Sequence, residues 1–282
     1  MSILASVIDN LKHVVVRRRL YGFYEFMFQV SLRGLGMLNS ESIALSGERY
    51  FISHFLKEFS RLVVLDVGAN VGRYSNMIKK LYPQAEIYAF EPHPKIYSVL
   101  HTEAQKYGYT ALNLGCDHRE GHLKLYDYAD FDNGEHASIY KDVIEKLHQG
   151  TSKAYSIEVT TIDRFFADQH LNCVSLLKID TEGNELHILK GAQEIIDNGL
   201  VDMIHFEFGA MNIVSRVYLS DFYTMLPKYN LYRMLPDGLI PLGKHNPFHE
   251  IFAYQNIVAI RQGSNVMRVA PAPSPTPSRF IV

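Results

Sequence analysis

The chain has 282 residues, of which 47% are hydrophobic and 21% are charged, and its formal net charge is -2. This composition is typical of a globular protein with a sizeable core, and it excludes a general nucleic-acid binder, which would be strongly basic. Two cysteines, Cys116 and Cys173, exclude a disulfide framework, so we expect a cytoplasmic protein. Because no run of about 18 apolar residues occurs, we predict no membrane span.

Residues 1–60 are predicted to form an N-terminal helical cap. Apolar residues recur at helical spacing from Tyr21 to Val30 and again from Tyr50 to Phe59. These helices are also the candidate surface for an oligomer.

Residues 61–262 show short apolar runs that alternate with helical patterns. This alternation predicts crossover connections, and therefore an α/β domain with a mostly parallel sheet and helices on both faces. The predicted buried strands are Leu62–Val67, Glu86–Phe90, Thr110–Leu114, Val174–Ile179 and Val201–Phe208.

Other segments alternate more clearly between polar and apolar residues. His122–Tyr128 and Ser156–Thr161 are predicted as edge or antiparallel strands. Near the carboxyl end, 231–235, 239–242 and 251–260 predict an antiparallel addition. Residues 263–282 are proline-rich and are predicted to be a disordered tail.

The most informative motif lies at 63–75, where a buried strand runs into a glycine turn and then a helix. Gly68 and Gly72 allow a tight turn and a close approach to a ligand. Asn70 stands where a dinucleotide fingerprint has its second glycine, which disfavours a pyrophosphate. Asp66, just before the turn, suits a cationic ligand group.

An acidic residue follows the second predicted strand. Glu91 lies about 20 residues beyond the glycine turn, where a carboxylate typically binds the two hydroxyls of a ribose. Asp66 and Glu91 together predict a nucleoside site.

These motifs, together with 158–163, 177–185 and 189–192 downstream, occur in an order that resembles the FkbM methyltransferases. The resemblance covers residues 45–260. It implies a Rossmann-like class I methyltransferase fold and methyl transfer from S-adenosylmethionine to a hydroxyl oxygen, usually on a sugar or natural product. It assigns cofactor binding to Asp66, Gly68, Asn70, Gly72, Tyr74, Ser75, Glu91, Pro92, Cys116, Asp117 and Asp180.

Charged residues stand at the ends of two predicted buried strands. Such residues require pairing or solvent contact, and open α/β sheets bind ligands at these strand ends. A hydroxyl acceptor needs a base, for which Asp180 is our first choice by position and His205 is favoured by its titration range. Glu207 is a further candidate, and Lys178 would pair with a carboxylate.

The acceptor is expected near Ser138 and Glu182, because the family often has a serine in the loop that holds Ser138. A divalent cation on Asp180, Glu182 and Glu207 is an alternative, since hard cations favour carboxylates. We assign no metal site, because residues 181–185 do not match a calcium loop.

Two rival functions remain open on the sequence. One is a nicotinamide-dependent oxidoreductase, against which Asn70 counts. The other is a non-catalytic nucleoside-binding module, against which Asp66, Glu91 and Asp180 count.

Overall fold

In the computed structural model, which describes residues 16–39, 45–129 and 136–272, eight strands form one sheet. The strands are β1 (Val63–Val67), β2 (Glu86–Phe90), β3 (Thr110–Leu112), β7 (Val174–Ile179), β8 (Val201–Phe208), β9 (Tyr229–Leu235), β10 (Gly238–Pro241) and β11 (Gln255–Arg261). Their order in the sheet is β10-β9-β11-β8-β7-β1-β2-β3.

The five strands from β8 to β3 are parallel, whereas β11 runs antiparallel to both β8 and β9. This confirms the predicted Rossmann-like α/β class I fold. The connecting helices are α3 (Arg73–Leu81), α4 (Pro94–Tyr107), α5 (Ile162–Asp168), α6 (Glu185–Lys190), α7 (Gln193–Asp197), α8 (Met211–Ser215) and α9 (Leu219–Met225).

The chain from 110 to 160 departs from the predicted strands. The third parallel strand stops at Leu112, because the backbone then leaves the sheet to form β4 (Gly115–Cys116). β4 belongs to a second sheet of order β4-β6-β5 with β5 (Gly121–Tyr128) and β6 (Ser152–Thr160). The predicted alternating strands therefore pair with each other rather than at the edge of the main sheet.

Helices cover both faces of the main sheet, as its alternation of buried side chains requires. On one face, Leu65 and Leu177 pack with Phe165 of α5 and Ile188 of α6. On the other face, Val64 and Leu176 pack with Ile78 of α3 and with the N-terminal helix α2 (Glu48–Phe55). The core is thus split by the sheet into two layers.

The predicted N-terminal cap contains α2 and an earlier helix, α1 (Tyr21–Gly34). Phe51 and Ile52 of α2 are fully buried against the sheet. By contrast, the aromatic residues of α1 are exposed, and Leu32 is its buried residue. Residues 1–15 and 40–44 lie outside the described residues.

The carboxyl end has ordered contacts before the proline-rich stretch. A short 3-10 helix spans Asn265–Arg268, and the side chain of Val266 is buried. Residues 273–282, the second half of the predicted disordered tail, lie outside the described residues. No helix within the described ranges is long and apolar enough to cross a membrane.

Replacement of Phe51 by alanine tests whether α2 is part of the folding unit. Phe51→Ala should lower the free energy of unfolding by about 3–5 kcal/mol, because it leaves a cavity between α2 and the sheet. Urea unfolding followed by circular dichroism measures the change. Phe23→Ala on α1, where the ring is 58% exposed, should change stability by less than about 0.5 kcal/mol. Equal stabilities of the two variants would contradict this packing.

Candidate functional site

A glycine turn at the end of β1 forms the floor of the site. Gly68 has φ of 78°, and a Cβ there would lie 1.7 Å from the carbonyl oxygen of Asp180. Only glycine fits this contact, which brings the loops after β1 and β7 together. Asn70 has φ of 48°, a conformation that asparagine tolerates, and Gly72, directly before α3, has φ of 83°.

The carboxylate of Glu91 is fixed beside this turn. Its Oε2 accepts the N–H of Asn70 at 2.9 Å, and its Oε1 accepts the N–H of His93 at 2.8 Å. Burial raises the pKa of Glu91 to about 7, although these two N–H groups counteract the increase. The carboxyl group is therefore held in one orientation at the end of β2.

Asp180 follows β7 and faces the same cleft. Its Oδ2 accepts a hydrogen bond from Lys178 Nζ at 2.9 Å, and its side chain is 30% exposed. The backbone N–H of Asp180 donates to the carbonyl oxygen of Val67 at 3.0 Å. A carboxylate is thus presented to solvent from a backbone position that the glycine turn fixes.

The loop 181–184 is shaped by a buried carboxylate. Glu185 Oε1 accepts the N–H groups of Thr181 at 3.1 Å and Gly183 at 3.0 Å. These bonds hold Glu182 in the left-handed region, with φ of 53°. Burial raises the pKa of Glu185 to about 7 against the effect of these N–H groups. The side chain of Glu182 consequently lies at the cleft.

The cleft is an open groove whose empty space of about 730 Å³ includes the solvent at its mouth. Part of its lining is formed by carboxylate side chains, and another part, which we call the apolar wall, is formed by aliphatic side chains. The lining residues are Val67, Gly68, Asn70, Phe90, Glu91, Pro92, Leu114, Gly115, Cys116, Leu125, Ala137, Ile139, Ile157, Val159, Asp180, Thr181, Glu182 and Asn184.

The sequence pattern did not predict the apolar wall. Leu125 of β5 and Ile157 and Val159 of β6 are buried in a small cluster of the second sheet. Their alternation with polar residues along β5 and β6 was the available signal. It did not show that this sheet folds over the end of the main sheet.

A row of buried polar side chains lies beneath the cleft, on the α2 side of the sheet. Asp66 pairs in register with Lys178, and Lys178 with His205. Asp66 is fully buried, and its Oδ2 accepts a hydrogen bond from Ser75 Oγ at 2.6 Å. Asp66, Tyr74 and Ser75 therefore lie behind the glycine turn rather than among the residues that line the cleft.

Lys178 carries the positive charge of this row. Its Nζ lies 3.7 Å from Asp66 Oδ1 as well as 2.9 Å from Asp180 Oδ2. Burial alone would lower the pKa of Lys178, but the charges of Asp180, Asp66 and Glu48 raise it above its usual value. Burial raises the pKa of Asp66, and the Lys178 charge opposes that increase.

His205 is enclosed between neighbouring side chains. Its Nδ1 lies 3.2 Å from the Tyr74 hydroxyl, and its Nε2 lies 2.9 Å from Asn256 Oδ1. Burial lowers the pKa of His205 to about 4. The ring is neutral at physiological pH, with Nε2 donating to Asn256, and it does not reach the cleft.

Glu207, on the same strand, is 9% exposed. Its Oε1 accepts a hydrogen bond from the Tyr254 hydroxyl at 2.8 Å. Burial, followed by the charges of Asp180 and Glu182, raises the pKa of Glu207 well above its usual value.

Cys116 and Asp117, to which the family resemblance assigns cofactor binding, are divided between the cleft and the interior. Cys116 lines the cleft, and its carbonyl oxygen accepts a hydrogen bond from Asn184 Nδ2 at 3.2 Å. Burial raises the pKa of the Cys116 thiol, which is therefore neutral. Asp117 is buried and hydrogen-bonds to His118. Pro92 lines the cleft, whereas Gly72 is not among the lining residues.

Ser138 is buried and connects the segment after β5 to the loop after β7. Its Oγ donates to the carbonyl oxygen of Glu182 at 2.8 Å and accepts the N–H of Tyr140 at 3.1 Å. The hydroxyl is thus engaged with the backbone, while Glu182 itself faces the cleft.

Comparison with known proteins identifies the family. The family model of the methyltransferase FkbM domain matches residues 66–230, more than half of the chain. Methyltransferase sdnD from Sordaria araneosa is 31% identical over 156 residues, which cover 46% of this chain and 60% of that protein. The chain therefore belongs to the FkbM methyltransferase family.

Two further relatives have names that state a substrate. The 31-O-demethyl-FK506 methyltransferase FkbM from Streptomyces tacrolimicus is 23% identical over 172 residues, covering 52% of this chain and 65% of that protein. The hexuronic acid methyltransferase AglP from Haloferax volcanii is 24% identical over 191 residues, covering 66% and 74%. The chain spans less than two thirds of sdnD and of FkbM.

The raised pKa of Glu91 predicts a pH-dependent stability. Between pH 4.5 and 7 the folded state keeps a proton on Glu91 that the unfolded state releases, so stability is lost as pH rises through about 7. Glu91→Gln removes this loss. From pH 5 to pH 8, the variant should therefore gain up to about 3 kcal/mol relative to the unsubstituted protein.

Urea unfolding at several pH values measures this difference. Glu86→Gln on the same strand is the matched control, because hydrogen bonding to Arg61 lowers the pKa of Glu86 and keeps it ionised throughout this range. Parallel pH profiles for Glu91→Gln and the unsubstituted protein would show that Glu91 does not titrate here.

Proposed function

We propose that this FkbM-family chain transfers a methyl group from S-adenosylmethionine to a hydroxyl oxygen on a sugar of a glycan or glycosylated metabolite. One observation carries the proposal. In the described part of the chain, the charged side chains that line the cleft are all carboxylates, namely Glu91, Asp180 and Glu182. An anionic cleft with a fixed nucleoside-binding carboxylate suits a cationic nucleoside.

The cleft fits S-adenosylmethionine group by group. Each Glu91 oxygen accepts one backbone N–H, which leaves lone pairs for the two ribose hydroxyls. The apolar wall that includes Ile157 and Val159 suits the adenine ring. The Asp180 carboxylate suits the positive charges of the sulfonium and the amino group.

The same features disfavour the two rival functions. A nicotinamide dinucleotide would place two phosphate charges near the carboxylates, and Asn70 replaces the glycine that lets such a phosphate approach. A binding module without chemistry would not need a carboxylate such as Asp180 at the sheet end, supported by a buried lysine.

S-adenosylmethionine supplies a methyl group that its positively charged sulfur activates. When the C–S bond breaks, both bonding electrons stay on the sulfur. In our proposal, Asp180 accepts the proton of the acceptor hydroxyl as the oxygen bonds to the methyl carbon. The proton thus ends on Asp180, and the sulfur becomes a neutral thioether. Such a positioned base contributes roughly 10²- to 10⁴-fold to rate. Lys178 orients Asp180 through its 2.9 Å hydrogen bond.

The remaining candidates take positioning roles in this proposal. His205 is neutral and enclosed, so it supports the buried row rather than accepting the proton. Glu207 accepts a hydrogen bond from the Tyr254 hydroxyl, which keeps it beside Asp180 and Glu182. Asp66 fixes Lys178 from below.

The acceptor class follows from chemistry and from the relatives. One relative is named a hexuronic acid methyltransferase, and the name of another places its methyl group on oxygen. Ser138 positions Glu182 at the cleft through its hydrogen bond to the Glu182 carbonyl. The Glu182 carboxylate is then available to accept hydrogen bonds from the hydroxyls of a sugar.

Asp180→Asn tests the proposed chemistry. The amide keeps the size of the side chain but cannot accept the proton, so turnover should fall by about 10²-fold or more, while binding of S-adenosylhomocysteine changes little. The assay measures transfer of a radiolabelled methyl group from S-adenosylmethionine to a panel of hexuronic acids and hexosides.

The matched control is Asp168→Asn. It removes an exposed carboxylate that is not among the lining residues of the cleft and whose Oδ2 lies 2.9 Å from Arg164 Nε. Its turnover should equal that of the unsubstituted protein. An Asp180→Asn variant with unchanged turnover would exclude Asp180 as the base. Absence of any labelled sugar would contradict the proposed acceptor class.

A further inference from the structure

Two histidines converge on Glu182 at the rim of the cleft. His136 Nδ1 lies 3.1 Å from Glu182 Oε1, and the rings of His136 and His148 stack with centroids 4.6 Å apart. One donor atom from each of the three side chains lies within 4.8 Å of the other two. None of the roles proposed above uses either histidine.

The fold brings these residues together from three segments of the chain. Ser138, two residues after His136, pairs with Tyr126 of β5 and donates to the Glu182 carbonyl. His148 directly follows a π-helix, Val143–Leu147, a rare element that is frequent at functional sites. The Ser138 contacts therefore fix the segment that carries His136 relative to Glu182.

The donor set is that of a transition-metal site. Two imidazole nitrogens and one carboxylate oxygen suit Zn²⁺ and similar dications, which typically use three protein ligands and keep one position open in catalytic sites. Ligands of a tetrahedral Zn²⁺ lie about 3.3 Å apart, given bond lengths of about 2.0 Å. The pair of His136 and Glu182 already has this spacing, and a donor atom of His148, an exposed ring, lies within 4.8 Å of both.

The cluster lies next to the cleft. Glu182 lines the cleft beside Asp180, so a cation bound here faces the end where we place the acceptor. A second cluster, Asp117, His118 and His187, also has metal-ligand chemistry. Unlike Glu182, none of its members is among the residues that line the cleft.

We propose that His136, His148 and Glu182 bind a transition-metal dication, such as Zn²⁺, whose open position binds an oxygen of the acceptor. The acceptor part of this inference rests on the proposed function, whereas metal binding does not. A bound cation makes a coordinated hydroxyl more acidic, so its proton passes more readily to Asp180. Neighbouring sugar hydroxyls or a carboxylate would be the natural bidentate ligands.

The test is titration of the chelator-treated full chain with Co²⁺, followed by its visible absorption, and with Zn²⁺ by calorimetry. We expect one equivalent to bind. His148→Ala should weaken binding by at least about tenfold, since even loss of a supporting group around a metal costs 10- to 100-fold. Glu182→Gln provides a second variant with the same expected loss, and thermal melting verifies that both variants fold.

His187→Ala is the matched control and should bind both metals as the unsubstituted protein does. Absence of stoichiometric binding would overturn the proposal, as would loss of binding in His187→Ala with retention in His148→Ala. Titration with S-adenosylhomocysteine separates this result from the proposed function. His148→Ala should retain S-adenosylhomocysteine binding. If the unsubstituted protein does not bind S-adenosylhomocysteine, the cofactor assignment is contradicted, while the metal result is unaffected.

Discussion

The ion pairs of Lys178 are the interaction on which the site depends. The lysine is buried between Asp66, 3.7 Å away on β1, and Asp180, 2.9 Å away after β7. Removal of one partner from such a buried group typically costs about 3–5 kcal/mol, because a charge is left uncompensated. The same contacts orient Asp180 toward the cleft. Stability at the centre of the sheet and the position of the proposed base thus have one cause.

The second sheet determines how the cleft is closed. Its strands β5 and β6 supply the apolar wall, and the loop after β5 carries Ser138, which holds the carbonyl of Glu182. The proposed adenine and acceptor ends are therefore shaped by one insertion, which lies between β4 and α5. Under the proposed function, we expect changes in this insertion to alter the acceptor while leaving the glycine turn and Glu91 intact, since those belong to the main sheet.

Local pattern was sufficient to predict the strands of the main sheet, because buried parallel strands are continuous apolar runs flanked by turns. The glycine turn, Glu91 and Asp180 were predicted from their places at strand ends, and the structure brings all three to one cleft. Pattern could not show that Tyr74, Ser75 and His205 point into the interior, since this depends on how α3 packs on the sheet. Nor could it show the wall built from β5 and β6, which depends on contacts between distant segments.

The central claim is that the cleft binds the nucleoside portion of S-adenosylmethionine through Glu91. Calorimetric titration with S-adenosylhomocysteine, with NAD as the comparison ligand, tests it most directly on the unsubstituted protein and on Glu91→Ala. The account predicts binding of S-adenosylhomocysteine and not of NAD. It also predicts that Glu91→Ala loses about 1.5–3 kcal/mol of binding free energy for S-adenosylhomocysteine, because hydrogen bonds to a charged group are removed. Binding of NAD alone, or equal affinity of the two proteins for S-adenosylhomocysteine, would contradict it.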